Sequence, residues 1–146
     1  MISARILPDV NVWVALLDEA HVHNAKALAL MKRRGLRIAT CPLIENGVLR
    51  VLNLPGYSAF GPLGFQTVRD KLASICKRHD HEFWPDDVTL RTNALVDWSR
   101  VLGHNQITDV YLLALAVTHG GCLATLDQRV ALATVPSAKE SHLLLL

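Results

Sequence analysis

The chain has 146 residues, the usual length of a single domain. Apolar residues make up 51% and charged residues 19%, so it can bury a core and is not a disordered segment. Lys and Arg total 15 against 13 Asp and Glu, a formal charge of +2. That excludes a polybasic-arm binder but not an enzyme with local positive patches.

In chain order, short apolar runs alternate with helical patterns, which predicts a mainly parallel sheet covered on both faces. The first strand reads as Arg5 to Pro8 and ends at Asp9. A helix from Val10 to Leu17 follows, with Trp13, Leu16 and Leu17 at helical spacing. A second covers about His23 to Arg34, its end suited by the cations Lys32, Arg33 and Arg34 and stopped at Gly35. The second strand is Arg37 to Cys41. Pro42 fits the first position of a helix carrying Ile44, Val48, Leu49 and Leu52 to about Asn53. Two prolines and three glycines between Pro55 and Gly64 mark a loop or lid.

Phe65 to Arg78 is helical again, with Val68, Leu72 and Ile75 inward. Glu82 to Trp84 is a short strand, and Pro85-Asp86-Asp87 leads into a predicted helix from Thr89 to Val101. Gly103 breaks the pattern before Thr108 opens a long apolar helix, Asp109 to Thr118. Gly120-Gly121 ends it, and Cys122 to Leu126 is a strand closing on Asp127. Ser141 to Leu146 offers a last edge strand. The expectation is one α/β domain over residues 1–146 with four or five strands.

Neither a secretory leader nor a membrane span is expected. No apolar run of suitable length precedes Asp9, and Thr118 to Gly121 interrupt the stretch from Val110 to Leu126. Three cysteines without a C-x-x-C pattern read as buried reduced thiols of a cytoplasmic protein.

The placement of the acids is the informative feature. Asp9 and Asp127 close two strands, at the sheet edge where ligands of parallel sheets bind. Glu45 falls in the first turn of the helix after the second strand, and Asp109 in the first turn of the helix before the Asp127 strand. If the strands concerned are neighbours, these four converge. Two such charges ~4 Å apart repel by roughly 4 kcal/mol at an effective dielectric of ~20. A set of this kind holds protons or a divalent cation, and an all-oxygen set favours Mg²⁺ or Mn²⁺ over Zn²⁺. A hard cation there can position and activate a water against a phosphodiester. The competing reading of each acid alone is structural: Asp9 or Asn11 caps a helix, and Asp109 suits a helix dipole.

In these stretches the chain resembles the PIN-domain ribonucleases, specifically the toxins of VapBC toxin–antitoxin pairs. They are Leu7-Pro-Asp-Val-Asn-Val-Trp, Pro42-Leu-Ile-Glu-Asn-Gly, Ile107-Thr-Asp-Val-Tyr-Leu-Leu-Ala-Leu-Ala and Leu123-Ala-Thr-Leu-Asp-Gln-Arg. They occur in order from residue 7 to about residue 130. The resemblance implies a three-layer α/β/α domain and Mg²⁺- or Mn²⁺-dependent endoribonuclease activity. It also implies a homodimer neutralised by a cognate VapB-type antitoxin. Asp9, Glu45, Asp109 and Asp127 are its acidic set, with Asn11, Thr108 and Thr125 as supporting polar residues. RNA of the tRNA or rRNA class is the implied substrate, and translation the process inhibited. A PIN nuclease of RNA processing without an antitoxin, or a non-catalytic RNA-binding module, is the alternative.

Other groups read more plainly. The pairs His21/His23 and His79/His81 lack zinc-ligand partners at fitting spacing. Lys32, Arg33 and Arg34, with Arg37, form the densest basic cluster, a solvated helix end or a phosphate contact. His104, just before Thr108, is a candidate RNA contact. Trp13, Trp84 and Trp98 read as core, with stacking on bases as the competing role. A mean hydropathy of +0.25 and four terminal leucines point to a further interface, hence a homodimer.

Overall fold

The computed structural model describes residues 4–146; residues 1–3, the start of the stretch read for a leader, lie outside the described residues. Five parallel strands form one sheet: β1 (Ile6–Pro8), β2 (Arg37–Thr40), β3 (Asp80–Phe83), β4 (Cys122–Thr125) and β5 (Leu143–Leu145), in the order β3-β2-β1-β4-β5. β1 is wholly buried and pairs with β4 through Ile6↔Cys122, Leu7↔Leu123 and Pro8↔Ala124. Its registered pairing with β2 is Ile6↔Ile38. Pro8, which has no N–H to give, therefore stands where the β2 ladder has ended.

Helices α1 (Val10–Leu17), α2 (Asn24–Met31), α3 (Pro42–Val51) and α4 (Phe65–Arg78) pack on one another, while α5 (Ile107–Thr118) packs on β4 and the turn before β5. This is a three-layer α/β/α arrangement, as the alternating pattern predicted. α1 is apolar nearly all round, and Val12 to Leu17 are all buried. α4 is amphipathic and buries only Val68, Leu72 and Ile75. The chain builds β1, β2 and β3 outward on one side, then crosses to β4 and β5 on the other. The order thus reverses between β1 and β4, and the crevice of an open parallel sheet lies at the C-terminal ends of those two strands.

One predicted helix is absent. Residues from Thr89 to Val101 form turns that end in a short 3-10 turn, Trp98–Arg100. Here local side chains take the backbone donors: Thr89 Oγ1 accepts from Arg91 N–H at 3.2 Å, and Asp97 Oδ1 accepts from Ser99 N–H at 3.1 Å. Ala94 sits at φ 62°, outside any right-handed helix, and only Val96 of the segment is buried. Trp98 is correspondingly half-exposed, at 48%, and is not a core residue, whereas Trp13 and Trp84 are buried.

Trp84 also explains a glycine. Its ring stacks on His119 with centroids 4.5 Å apart. A Cβ on Gly121 would come within 2.5 Å of the Trp84 ring and 2.8 Å of the Arg5 carbonyl, so this position accepts no side chain. The terminal leucines form the expected edge strand, with Leu146 N–H donating to Thr125 O at 3.0 Å. Leu143, Leu144 and Leu146 are half-buried against the core, which absorbs part of the apolar excess. Among the described residues no helix is long and apolar enough to cross a membrane.

Candidate active site

Asp9 is the residue that ends β1 and caps α1. Its Oδ1 accepts from Val10 N–H at 2.7 Å, and its own N–H donates to Ala124 O at 2.8 Å. The capping reading is therefore correct and leaves Oδ2 free for a second role. Thr125, the buried last residue of β4, donates its hydroxyl to Asp9 Oδ2 at 3.1 Å. Thr125 Oγ1 itself accepts from Asn11 Nδ2 at 3.2 Å and from Asp127 N–H at 3.0 Å. Asn11 Oδ1 in turn accepts from Leu126 N–H at 3.2 Å. One hydroxyl thus joins the D-x-N segment to the Asp127 turn, with every polar atom of the bridge satisfied.

Asp9, Asn11, Thr108, Asp109 and Asp127 line one cleft of about 420 Å³ at the switch point. The three carboxylates sense one another. Burial first, and then the charges of Asp9 and Asp127, together push the Asp109 carboxyl up to about 6 against the opposing charge of Arg129. Burial also raises Asp9, opposed by the hydrogen bonds from Val10 and Thr125. Asp127 goes the other way, because Arg129 holds its carboxyl below the ordinary range. That arginine donates from Nε to Asp127 Oδ1 and from a terminal nitrogen to Oδ2, both at 3.0 Å.

Glu45 is not brought to this cluster. It does not line the cleft, and its Oε2 accepts the Thr40 hydroxyl at 2.7 Å. That hydroxyl has only one proton, so His81 Nε2, 2.7 Å away, is left as donor to Thr40 Oγ1. The reason is helical geometry. Leu43, Asn46, Gly47 and Arg50 line the cleft, the i, i+3, i+4, i+7 face of α3, and Glu45 falls off that face. A helical-wheel reading of Pro42 to Val51 would have brought Asn46 forward as a cleft residue.

The basic residues also divide. Lys32, Arg33 and Arg34 follow α2 and precede β2, which places them at the N-terminal edge of the sheet, opposite the aspartates. His104 opens a 3-10 turn before α5 and is exposed, but its neighbour Asn105 is the one lining the cleft. The basic side chains bordering the carboxylates, among the described residues, are Arg50 and Arg129, with the His21 imidazole of the His21/His23 pair beside them. His21 Nδ1 accepts from His23 N–H at 3.0 Å, a local turn contact. The Pro55 to Gly64 loop lines a separate hollow with Leu17 to Ala20, so it is no lid over the aspartates.

Among the described residues no three His, Cys, Asp or Glu side chains already stand in coordination geometry. The donor chemistry of the cleft nevertheless fits a hard divalent cation. Three carboxylates meet in partly dry surroundings that keep two of them above their ordinary range, a charge excess that a cation would relieve.

A five-stranded parallel sheet between helical layers, with aspartates from three separate segments at its switch point, defines a class of α/β/α domains with a carboxylate-lined edge. The PIN domain family matches residues 6–135, and the chain belongs to that family. Its relatives include Ribonuclease VapC44 of Mycobacterium tuberculosis, 41% identical over 142 residues that span 95% of this chain and 97% of that protein. Ribonuclease VapC29 of the same organism is 37% identical over 86% of this chain and 88% of its own, and Ribonuclease VapC39 is 34% identical over 86% and 90%.

Proposed function

We propose that this protein is a metal-dependent endoribonuclease, a toxin of the VapC type, with Asp9, Asp109 and Asp127 as its acidic set. The observation that carries the reading is the meeting of these three carboxylates in one cleft, supported by the ribonuclease relatives that span nearly the whole chain. Asp9, Asp109 and Asp127 would hold Mg²⁺ or Mn²⁺. A bound divalent cation supplies neutralisation of the charge that builds on a phosphodiester under attack and makes water a better nucleophile at neutral pH.

The chain's own residues do the rest. Thr125 and Asn11 fix the Asp9 carboxylate so that its free lone pairs face the cleft, without reorganisation as substrate arrives. Thr108 adds a hydroxyl on the cleft wall. Arg50 and Arg129 offer charge to phosphates next to the acids. RNA of the tRNA or rRNA class as substrate, inhibition of translation, a cognate VapB-type antitoxin, a homodimer and a cytoplasmic location complete the proposal. Purified Asp9→Asn protein is expected to lose RNA cleavage by at least about a hundredfold while keeping its circular dichroism spectrum. Chelation should do the same to the native protein. Full cleavage by Asp9→Asn protein would refute the reading.

A further inference from the structure

The acidic cleft has a neighbour that the hydrolysis itself does not use. Asn105, Asp109 and Asp127 belong to both, forming the ridge between the cleft and a second hollow of about 180 Å³. The far walls of this hollow carry the apolar side chains of Leu102, Val110, Val130 and Ala131, together with the polar Arg129 and Thr134. It is well below the roughly 300–1,000 Å³ of pockets that take drug-sized ligands. At roughly 30 Å³ per water it is the space of about six waters, enough for one planar ring and too little for a second nucleotide.

The hollow is held in shape from behind. Gln106 Oε1 accepts from the backbone N–H groups of Leu102 at 2.6 Å and Gly103 at 3.3 Å, bracing one wall. On the other wall the Thr134 hydroxyl donates to Ala131 O at 2.7 Å, and Asp97 N–H donates to Thr134 O at 2.9 Å. Occupation of such a site costs little ordering. Asn105 differs from these braces: its amide makes no hydrogen bond among the described residues, so both its donor and its acceptor are available. Gly103 leaves it room, since a Cβ there would come within 3.2 Å of Asn105 Oδ1.

Asp109 and Asp127 repel a phosphate in the hollow itself, and the Arg129 guanidinium on its wall is already paired with Asp127, whereas a neutral ring with a polar edge suits the apolar walls and the Asn105 amide. We propose that this hollow is a nucleobase subsite that takes the base of one nucleotide flanking the cleaved bond, with Asn105 reading its edge. The assignment rests on the nuclease reading above and makes base preference at that position a property of residues 102–106 and 130–131.

The test uses the native protein, Asn105→Ala and Ala131→Phe on a pool of oligoribonucleotides randomised in sequence, with the 5′ ends of the products sequenced. The native protein should favour one base at one flanking position by about tenfold, and both variants should lose that preference there and nowhere else. In parallel, the four ribonucleosides are titrated into ¹⁵N-labelled native protein. Cleavage by all three proteins with an unchanged preference overturns the subsite and leaves the nuclease standing. Absence of cleavage by the native protein overturns the nuclease reading instead. In that event, nucleoside-induced shifts at Leu102 to Gln106 preserve the base pocket, and their absence overturns it too.

Discussion

Replacing Asp109 with Asn should stabilise the metal-free protein, and only above a definite pH. The Asp109 carboxyl titrates near 6 in the folded chain, against 3.8 for an unperturbed aspartate. Because the folded value is the higher, the native state binds the proton more tightly than the unfolded state between those limits. Stability from this group is therefore whole below about pH 4, falls as pH rises through 6, and stays lost above it. At about 1.36 kcal/mol per pH unit the full penalty is roughly 3 kcal/mol, which screening by water on the open side of the cleft reduces to about 1–2 kcal/mol. In a domain of this size that is a gain of about 3–8 °C for Asp109→Asn at pH 7.5. The assay is thermal unfolding followed by circular dichroism with chelator present, at pH 4.5 and pH 7.5. Adding Mg²⁺ or Mn²⁺ at pH 7.5 should raise the midpoint of the native protein and do much less for the variant. An equal gain at both pH values, or none at pH 7.5, would refute the assignment of the strain to an ionised Asp109 held in a buried site beside two other carboxylates.

The other predictions concern neighbours of the cleft. Glu45→Gln should keep RNA cleavage within about threefold of native, because its partner is Thr40 and not the aspartates; a loss matching that of Asp9→Asn would restore Glu45 to the site. Thr125→Val should cost about 2–3 kcal/mol in chemical denaturation, since two N–H groups and one carboxylate lose their partner together. It should also depress cleavage, and Thr125→Ser should recover most of both. Gly121→Ala should cost about 3 kcal/mol or more, as the new methyl meets the Trp84 ring and the Arg5 carbonyl at once. A thermal midpoint within 2–3 °C of native, a shift worth only about 1 kcal/mol in a domain of this size, would contradict the packing described around Trp84.

The elements with a clear period were legible from residues alone. α1 and α4 begin and end where their apolar spacing places them, and four of the strands are short, mostly apolar runs, whereas β3 (Asp80–Phe83) is polar and begins two residues before the predicted Glu82–Trp84. The segment from Thr89 to Val101 was not, because its apolar residues have the density of a helix without a face that the core could bury. There the local bonds of Thr89 and Asp97 prevail over propensity. At the site, Asp9 and Asp127 were legible because a strand end fixes both position and direction. Glu45 was not, since within a helical turn the facing side changes by about 100° per residue. Proximity in sequence to a strand end therefore locates a carboxylate on a strand far better than one on a helix.

The same geometry changes what the net charge means. Setting three of the 13 acids in the cleft leaves ten against 15 bases, a balance of +5 over the rest of the chain. That excess does not surround the aspartates evenly. The Lys32 to Arg34 cluster stands at the opposite edge of the sheet, and the cleft itself is bordered by Arg50 and Arg129. A polyanion reaching the aspartates would thus be held near the reacting phosphate by two arginines, one of them already paired with Asp127. Long-range attraction by the remaining surface is weak and is screened over about 10 Å at 0.1 M salt. Discrimination among RNAs then has to come from contacts at the cleft, where the free Asn105 amide and the apolar hollow lie, rather than from the field of the protein as a whole.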